Sequence, residues 1–131
     1  MALLETRGLS KSFGGLKAVS GVDLKVQPGT VHGLIGPNGS GKSTFFNLVT
    51  GVYQPDPGSH IEFDGHDITN LQAHGIAALG MARTFQLLRL FSEMTVLENV
   101  MVGNHCKTSY GIVESLLGTS RVRQADQQMK V

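Results

Sequence analysis

Residues 36 to 44 read Gly36-Pro37-Asn38-Gly39-Ser40-Gly41-Lys42-Ser43-Thr44, and this run matches the phosphate-binding pattern G-x-x-x-x-G-K-[ST] in full. Its three glycines let the backbone curl around an anion, so that successive N–H groups point at a phosphate. A helix that begins here would add free N–H donors and the positive end of its dipole. The run therefore predicts a loop that binds nucleotide phosphates. The alternative is a glycine-rich turn with an incidental lysine.

Three side chains of the run are expected to have separate tasks. Lys42 supplies a positive charge to the β- and γ-phosphates, and Ser43 offers its hydroxyl to Mg²⁺. Thr44 contacts phosphate through its hydroxyl or amide, or makes only local bonds at a helix N-terminus. The ligands expected for the loop are thus ATP and Mg²⁺. The expected binding residues are Gly36, Pro37, Asn38, Gly39, Ser40, Gly41, Lys42, Ser43 and Thr44.

The segments on either side of the run predict the setting that a phosphate loop needs. Residues 30–35 (TVHGLI) are typical of a short buried strand, and the turn Pro28-Gly29 precedes them. Residues 45–49 (FFNLV) predict a helix that ends before Gly51. A strand, a glycine loop and a helix would then follow one another directly.

The rest of the chain predicts further strands first and helices later, which is typical of an α/β protein. Further strands are predicted over residues 3–9, 18–26, 61–63 and 81–85. Further helices are predicted over residues 71–79, 99–102, 110–117 and 121–129. Turns are expected at residues 12–15 and at Asp64-Gly65, which favours a tight hairpin. Thr95 and Glu98 have the spacing of a helix-capping box.

Composition and charge narrow the classes of function. At 131 residues the chain is one domain or part of one, and its formal net charge of +1 predicts no nucleic-acid partner. Cys106 is the only cysteine, so an internal disulfide is impossible and a reducing compartment is expected. The sequence has no apolar run approaching the roughly 18 residues of a membrane helix. The five histidines are scattered and predict no zinc cluster.

Several motifs together resemble the ATP-binding subunits of ABC transporters. The run Leu9-Ser10-Lys11-Ser12-Phe13-Gly14-Gly15 is similar to the family's opening strand and its aromatic residue. Residues 21–29 resemble the strand and turn before the phosphate loop, and Arg83-Thr84-Phe85-Gln86 resembles the family's glutamine loop. Residues 80–86, 89–91 and 94–103 are similar to the branched-chain amino acid importers of bacteria. The resemblance spans nearly the whole chain.

The resemblance implies an α/β fold: a P-loop NTPase core with N-terminal antiparallel strands and the start of a helical subdomain, truncated. Residues 1–131 would be the N-terminal part of one ABC ATPase domain. Residues from 1 to about 90 would form the ATP-binding core, and those from about 91 to 131 would begin the helical subdomain.

The resemblance also implies roles for particular side chains. Phe13 would stack on adenine, unless it is a core phenylalanine at a turn. Val19 would pack against the ribose or the base edge, or would be a plain strand valine. Gln86 would reach Mg²⁺ or the attacking water, so Lys42 and Gln86 are the implied catalytic residues and Ser43 and Gln86 the implied metal ligands. An apolar cluster would receive a helix of a membrane protein or belong to the core: Leu87, Leu88, Leu90 and Phe91.

The implied function is ATP binding and hydrolysis that drives branched-chain amino acid uptake. The implied partners are membrane-spanning permease subunits and a second, identical or different, ATP-binding subunit, at the cytoplasmic face of the plasma membrane. The alternatives are a non-hydrolysing nucleotide-binding fragment, an ABC ATPase for another cargo, and an ABC-type ATPase of DNA repair or translation.

Some parts of the family's pattern are not found in these residues, so hydrolysis by this chain alone is left open. The sequence contains no Leu-Ser-Gly-Gly-Gln signature, no apolar strand ending in Asp-Glu and no assignable switch histidine. In the family, the strand with the acidic pair lies beside the phosphate-loop strand. Without that neighbour an apolar strand edge would be unpaired, so the isolated chain is expected to be marginally stable or prone to aggregate.

Overall fold

The computed structural model describes residues 2–85 and 90–103, in which it has four strands and three helices. In chain order these are β1 (Leu4–Phe13), β2 (Leu16–Val26), α1 (Lys42–Val49), β3 (His60–Phe63), β4 (His66–Asp67), α2 (Ala73–Ala78) and α3 (Val96–Gly103). The chain divides into two compact units, Met1–Arg83 and Thr84–Val131. The helices predicted over residues 110–117 and 121–129 lie outside the described residues.

Strands β1 and β2 form an antiparallel hairpin whose last pair is Phe13 with Leu16. The two predicted strands are confirmed, but both are longer than expected because the ladder continues to the turn. Only Gly14 and Gly15 are left for that turn, and Gly14 takes a left-handed φ of 58° that glycine adopts without strain. Phe13 therefore belongs to the end of a strand and not to a turn of four residues.

The sheet of the first unit has the strand order β2-β1-β3-β4, and all its neighbouring strands run antiparallel. The predicted strand at residues 61–63 is confirmed as β3. The tight turn at Asp64-Gly65 is also confirmed, since both residues have left-handed φ angles, 46° and 77°. Two such residues in a row form the turn that fits the right-handed twist of a hairpin.

Helix α1 supplies much of the core of this unit. Phe45, Leu48 and Val49 are buried, and their spacing of three and four residues places them on one face of the helix. The buried apolar cluster consists of Leu9, Val19, Phe45, Leu48, Val49, Ile61, Ile68 and Ile76. It joins strand, helix and loop residues, so the helix that begins at the phosphate loop is anchored by its apolar face.

The helix boundaries differ from the sequence expectation. Helix α1 begins at Lys42, before the predicted start at residue 45, and ends before Gly51 as predicted. Gly51 has a φ of 69°, and a Cβ there would lie 2.7 Å from the Ile76 side chain, so this glycine permits both the turn and the contact with α2. Helix α2 is shorter than predicted and includes Gly75.

Two predicted strands are wrong. Residues 30–35 and residues 81–85 have no regular structure, and no strand in the described part of the chain pairs with either of them. A strand needs a neighbour that accepts and donates its ladder hydrogen bonds. The consequence is clearest at Val31 and Ile35, which are 101% and 93% exposed.

The exposed apolar segment at residues 30–35 predicts aggregation of the purified chain. We expect Ile35→Lys to lower light scattering at rising protein concentration, because a charge on such a segment opposes intermolecular pairing. The free energy of unfolding should change by less than about 0.5 kcal/mol, since the side chain buries almost nothing. Ser20→Lys adds the same charge at another exposed position and serves as control. Equal scattering by the two variants would contradict the prediction.

In the second unit, Thr95 and Glu98 form the predicted capping box. The Thr95 N–H and hydroxyl donate to Glu98 Oε2 at 2.7 and 2.8 Å, and the Glu98 N–H donates to Thr95 Oγ1 at 3.3 Å. These bonds satisfy orphan donors of the first turn. The box is confirmed, and the helix after it, α3, begins at Val96, earlier than the predicted residue 99.

The capping box makes α3 sensitive to acid. The backbone N–H and then the hydroxyl of Thr95 hold the pKa of Glu98 below its ordinary value of 4.5. A carboxylate with a lowered pKa stabilises the folded form above its ordinary pKa, and this contribution is lost as the pH falls through the folded value. We expect helical ¹³Cα shifts over Val96–Gly103 to weaken as the pH falls from about 5 to 3. Glu98→Gln should remove this dependence; an unchanged pH profile in that variant would contradict the assignment.

Candidate nucleotide-binding site

The phosphate loop, residues 36–44, opens onto a cleft of about 380 Å³ in the first unit, which we call the loop cleft. One wall is the loop together with the first turn of α1, and the other is the end of the β1–β2 hairpin. The lining residues are Phe13, Leu16, Lys17, Ala18, Asn38, Gly39, Gly41, Lys42, Ser43 and Thr44. The structure thus brings together in one cleft most of the residues predicted to bind nucleotide.

Gly41 holds the loop directly against β2. It has a left-handed φ of 88°, and a Cβ at this position would collide with the carbonyl oxygen of Ala18. The same added atom would lie 3.4 Å from Val19 Cγ2. Only a residue without a side chain fits this close approach. The bare backbone that results is the kind of cradle that a phosphate group requires.

The Lys42 ammonium is bonded to the loop itself. Its Nζ donates to the carbonyl oxygens of Gly36 and Pro37, at 2.6 Å each, and lies 3.4 Å from Ser40 Oγ. These contacts hold a positive charge over the loop itself, where a phosphate oxygen can become its partner. Gly36, Pro37 and Ser40 therefore hold the lysine, although they do not line the cleft.

The charge of the cleft suits an anion. Its described lining residues include two lysines, Lys17 and Lys42, and no aspartate or glutamate. The hydroxyl-bearing residues Ser43 and Thr44 lie in the same cleft, beside Lys42 at the start of α1. A phosphate chain would meet cationic, hydroxyl and amide donors together. The residues present therefore fit the phosphate chain of a nucleotide.

The aromatic residue predicted to stack on adenine lies in the loop cleft. Phe13 is 43% exposed, so it is not the core phenylalanine of the alternative interpretation. Val19 is only 7% exposed and belongs to the apolar core beneath the loop. Its burial supports the alternative of a plain strand valine, while contact with the ribose or base stays a prediction.

Sequence reasoning missed three lining residues: Leu16, Lys17 and Ala18. The available signal was the pair Gly14-Gly15, because a two-residue turn places residues 16–18 directly across from the end of β1. Because the turn was expected to occupy residues 12–15, the pairing of Ser12 and Phe13 with β2 was not predicted. Lys17 in particular adds a cation that no motif identifies.

Gln86, predicted to be catalytic and to bind the metal, lies outside the described residues, so its roles stay predictions. The nearby Arg83 is described. Its guanidinium donates to Asn47 Oδ1 at 2.6 Å and to Thr50 Oγ1 at 3.3 Å. Arg83 is thereby bonded to α1, the helix that begins at Lys42.

The second unit has an apolar cleft of its own, of about 350 Å³. Its described lining residues are Leu90, Phe91, Ser92, Met94, Val96, Asn99 and Val100. Leu90 and Phe91 are 72% and 55% exposed, so they are surface residues within the described part. Leu87 and Leu88, predicted to share this surface, lie outside the described residues.

None of the helices in residues 2–85 and 90–103 is long and apolar enough to cross a membrane.

A phosphate loop that leads directly into a helix, next to an antiparallel sheet, indicates a nucleotide-binding domain of the P-loop class. Residues 19–131 match the family described as ABC transporter, so the chain belongs to that family. Among solved structures, a nucleotide-free ATP-binding cassette from an ABC transporter is 35% identical with a TM-score of 0.75. The match covers 99% of this chain and 51% of that one. An ATP-binding cassette in its ADP conformation is 40% identical with a TM-score of 0.73, over 92% of this chain and 46% of that one.

The relatives are named as transport proteins for branched-chain amino acids. The chain is 46% identical to the high-affinity branched-chain amino acid transport ATP-binding protein BraF of Pseudomonas aeruginosa, over 96% of this chain and 49% of that protein. It is 44% identical to the corresponding protein LivG of Escherichia coli K12, with the same two shares. The resemblance inferred from the sequence and the α/β P-loop fold are thereby confirmed. The chain spans about half the length of these relatives.

The contact between Gly41 and Ala18 can be tested by stability. Gly41→Ala and Gly58→Ala place a Cβ at nearly the same left-handed φ, 88° and 89°, but only the first meets other atoms. Both substitutions should cost about 1–2 kcal/mol of backbone strain. Gly41→Ala should destabilise the chain by about 1–3 kcal/mol more, because the loop must move off β2. Urea unfolding measures the difference; equal losses in the two variants would show that the close approach is absent.

Proposed function

We propose that this chain binds ATP in the loop cleft. The observation that carries the proposal is the meeting, in one cleft, of the phosphate loop with a half-exposed aromatic ring, Phe13. In this arrangement the loop amides and Lys42 hold the phosphates, and Phe13 stacks on the base. A base stacked on an aromatic ring typically gains about 1–3 kcal/mol, whereas the charged phosphates dominate the affinity.

Magnesium is proposed to reach this site with the nucleotide. Ser43 lies in the cleft directly after Lys42 and offers a hydroxyl oxygen, which suits a hard cation. Gln86, by the family resemblance, would be the second protein ligand through its amide oxygen. Mg²⁺ keeps several waters and shares phosphate oxygens, so two protein ligands are sufficient.

We further propose that the whole protein energises an importer of branched-chain amino acids. The names of its relatives support this cargo. The proposed partners are permease subunits in the plasma membrane and a second ATP-binding subunit, identical or different, with this chain at the cytoplasmic face as a peripheral component. The exposed apolar residues of the cleft in the second unit, Leu90 and Phe91 among them, suit contact with a membrane-protein helix.

For the chain as it stands, a second function is favoured by one observation. The described lining of the loop cleft contains no carboxylate that could polarise an attacking water. Phosphoryl transfer needs a side chain that positions or polarises the attacking water, together with the metal and the positioned phosphate. Residues 1–131 are therefore proposed to bind ATP without turning it over. Phosphate release measured on a preparation that binds ATP tests this alternative, and measurable turnover would exclude it.

The role of Lys42 can be tested by calorimetric titration with ATP and Mg²⁺. Lys42→Ala removes the charge-assisted bond to the phosphates, and we expect the affinity to fall by about tenfold to a hundredfold. Lys25→Ala is the matched control, because Lys25 is an exposed lysine of β2 that does not line the cleft. The Lys25→Ala variant should bind ATP with the same affinity as the unaltered chain. If Lys42→Ala bound ATP as well as this control, the proposed phosphate site would be refuted.

A further inference from the structure

The ring of Phe13 is held by a second aromatic side chain that does not line the loop cleft. The centroids of the Phe13 and Tyr53 rings lie 5.4 Å apart, and their planes meet at 76°. This is an edge-to-face pair, the geometry that the charge distribution of aromatic rings favours. Neither ring belongs to the buried core, since Phe13 is 43% and Tyr53 38% exposed. The contact therefore fixes a ring at the surface, beside the cleft.

Tyr53 is itself anchored to the helix that starts at the phosphate loop. The backbone N–H groups of Val52 and Tyr53 both donate to the Asn47 carbonyl oxygen, at 2.8 and 3.1 Å. Asn47 lies in α1, whose first residue is Lys42. One short helix thus carries the phosphate-binding lysine at its start and, just beyond its end, the tyrosine that touches Phe13.

A lysine supports the same ring from β1. Lys11 Nζ lies 5.6 Å from the centroid of the Phe13 ring, a cation–π distance. It also donates to the Gln54 carbonyl oxygen at 2.6 Å and lies 3.8 Å from Asp56 Oδ1. The Asp56 N–H in turn donates to the Ser10 carbonyl oxygen at 2.9 Å. Residues 53–56 therefore hold the end of β1 at several points, both backbone and side chain.

We propose that Tyr53 is a positioning residue for base recognition, which acts by orienting the ring of Phe13. A half-exposed phenylalanine at the end of a strand can adopt several rotamers, whereas stacking requires one face of the ring to be presented to the base. The edge contact with Tyr53 restricts the ring before the nucleotide arrives, so less side-chain entropy is lost on binding. The inference rests on the proposed nucleotide site and adds a determinant of how strongly the base contributes.

The experiment compares two ligands that differ in the base and its sugar. Calorimetric titration with ATP reports both halves of the site, whereas tripolyphosphate reports only the phosphate half; Mg²⁺ is present in both titrations. We expect Tyr53→Leu to lower the affinity for ATP by about three- to tenfold and to leave that for tripolyphosphate unchanged. Tyr53→Phe keeps the ring and should restore the affinity for ATP.

The control is Phe46→Leu, which removes an aromatic ring of similar exposure, 47%, from α1. The structure pairs Phe46 with Phe45 and not with Phe13. This variant should leave the ratio of the two affinities unchanged. Circular dichroism of each variant checks that the fold is retained.

Each other outcome overturns the proposal. If Tyr53→Leu bound ATP like the unaltered chain, the ring contact would not position Phe13. If Tyr53→Leu lowered the affinities for ATP and for tripolyphosphate equally, Tyr53 would act through the fold or the phosphate loop and not through the base. An unaltered chain that bound neither ligand would refute the proposed nucleotide site itself, and this result is distinct from the other two.

Discussion

The close approach of Gly41 to the Ala18 carbonyl is the constraint on which the proposed nucleotide site depends. Because Gly41 has no side chain, the end of the loop can approach β2 at this point, and α1 starts at the next residue. Helix α1 can then bury Phe45, Leu48 and Val49 in the common core. The burial of three apolar side chains anchors the helix, and the anchored helix in turn holds Lys42 over its loop.

The two ends of the proposed nucleotide site are joined by α1. Its first residue is Lys42, which is proposed to bind the phosphates, and the carbonyl oxygen of Asn47 accepts the backbone N–H of Tyr53, which contacts the proposed base-stacking Phe13. The Asn47 side chain also accepts the bond from Arg83, three residues before Gln86. A single short helix therefore connects the proposed phosphate and base parts of the cleft within the first unit. Its packing on the sheet determines how these parts are spaced.

Much of the site could be predicted from the sequence because its chemistry is local. The glycines, lysine and serine of the phosphate loop are consecutive, so their spacing alone indicates a phosphate cradle. The Asp64-Gly65 turn and the Thr95–Glu98 capping box are likewise short-range patterns, and the structure has both. The strands predicted at residues 30–35 and 81–85 were wrong because strand formation is not a local property. A strand exists only where another strand pairs with it, and no described strand pairs with these segments.

The amino-acid order was enough to identify the family, the phosphate loop and the aromatic residue of the opening strand, since each is recognised from a short run of consecutive residues. Only the folded chain placed Lys17 in the loop cleft, buried Val19 beneath it and set Tyr53 against Phe13. These relations join residues that are distant in the chain or that lie across a turn whose length the sequence left open. They depend on strand register and helix packing, which arise when separate segments exclude water together.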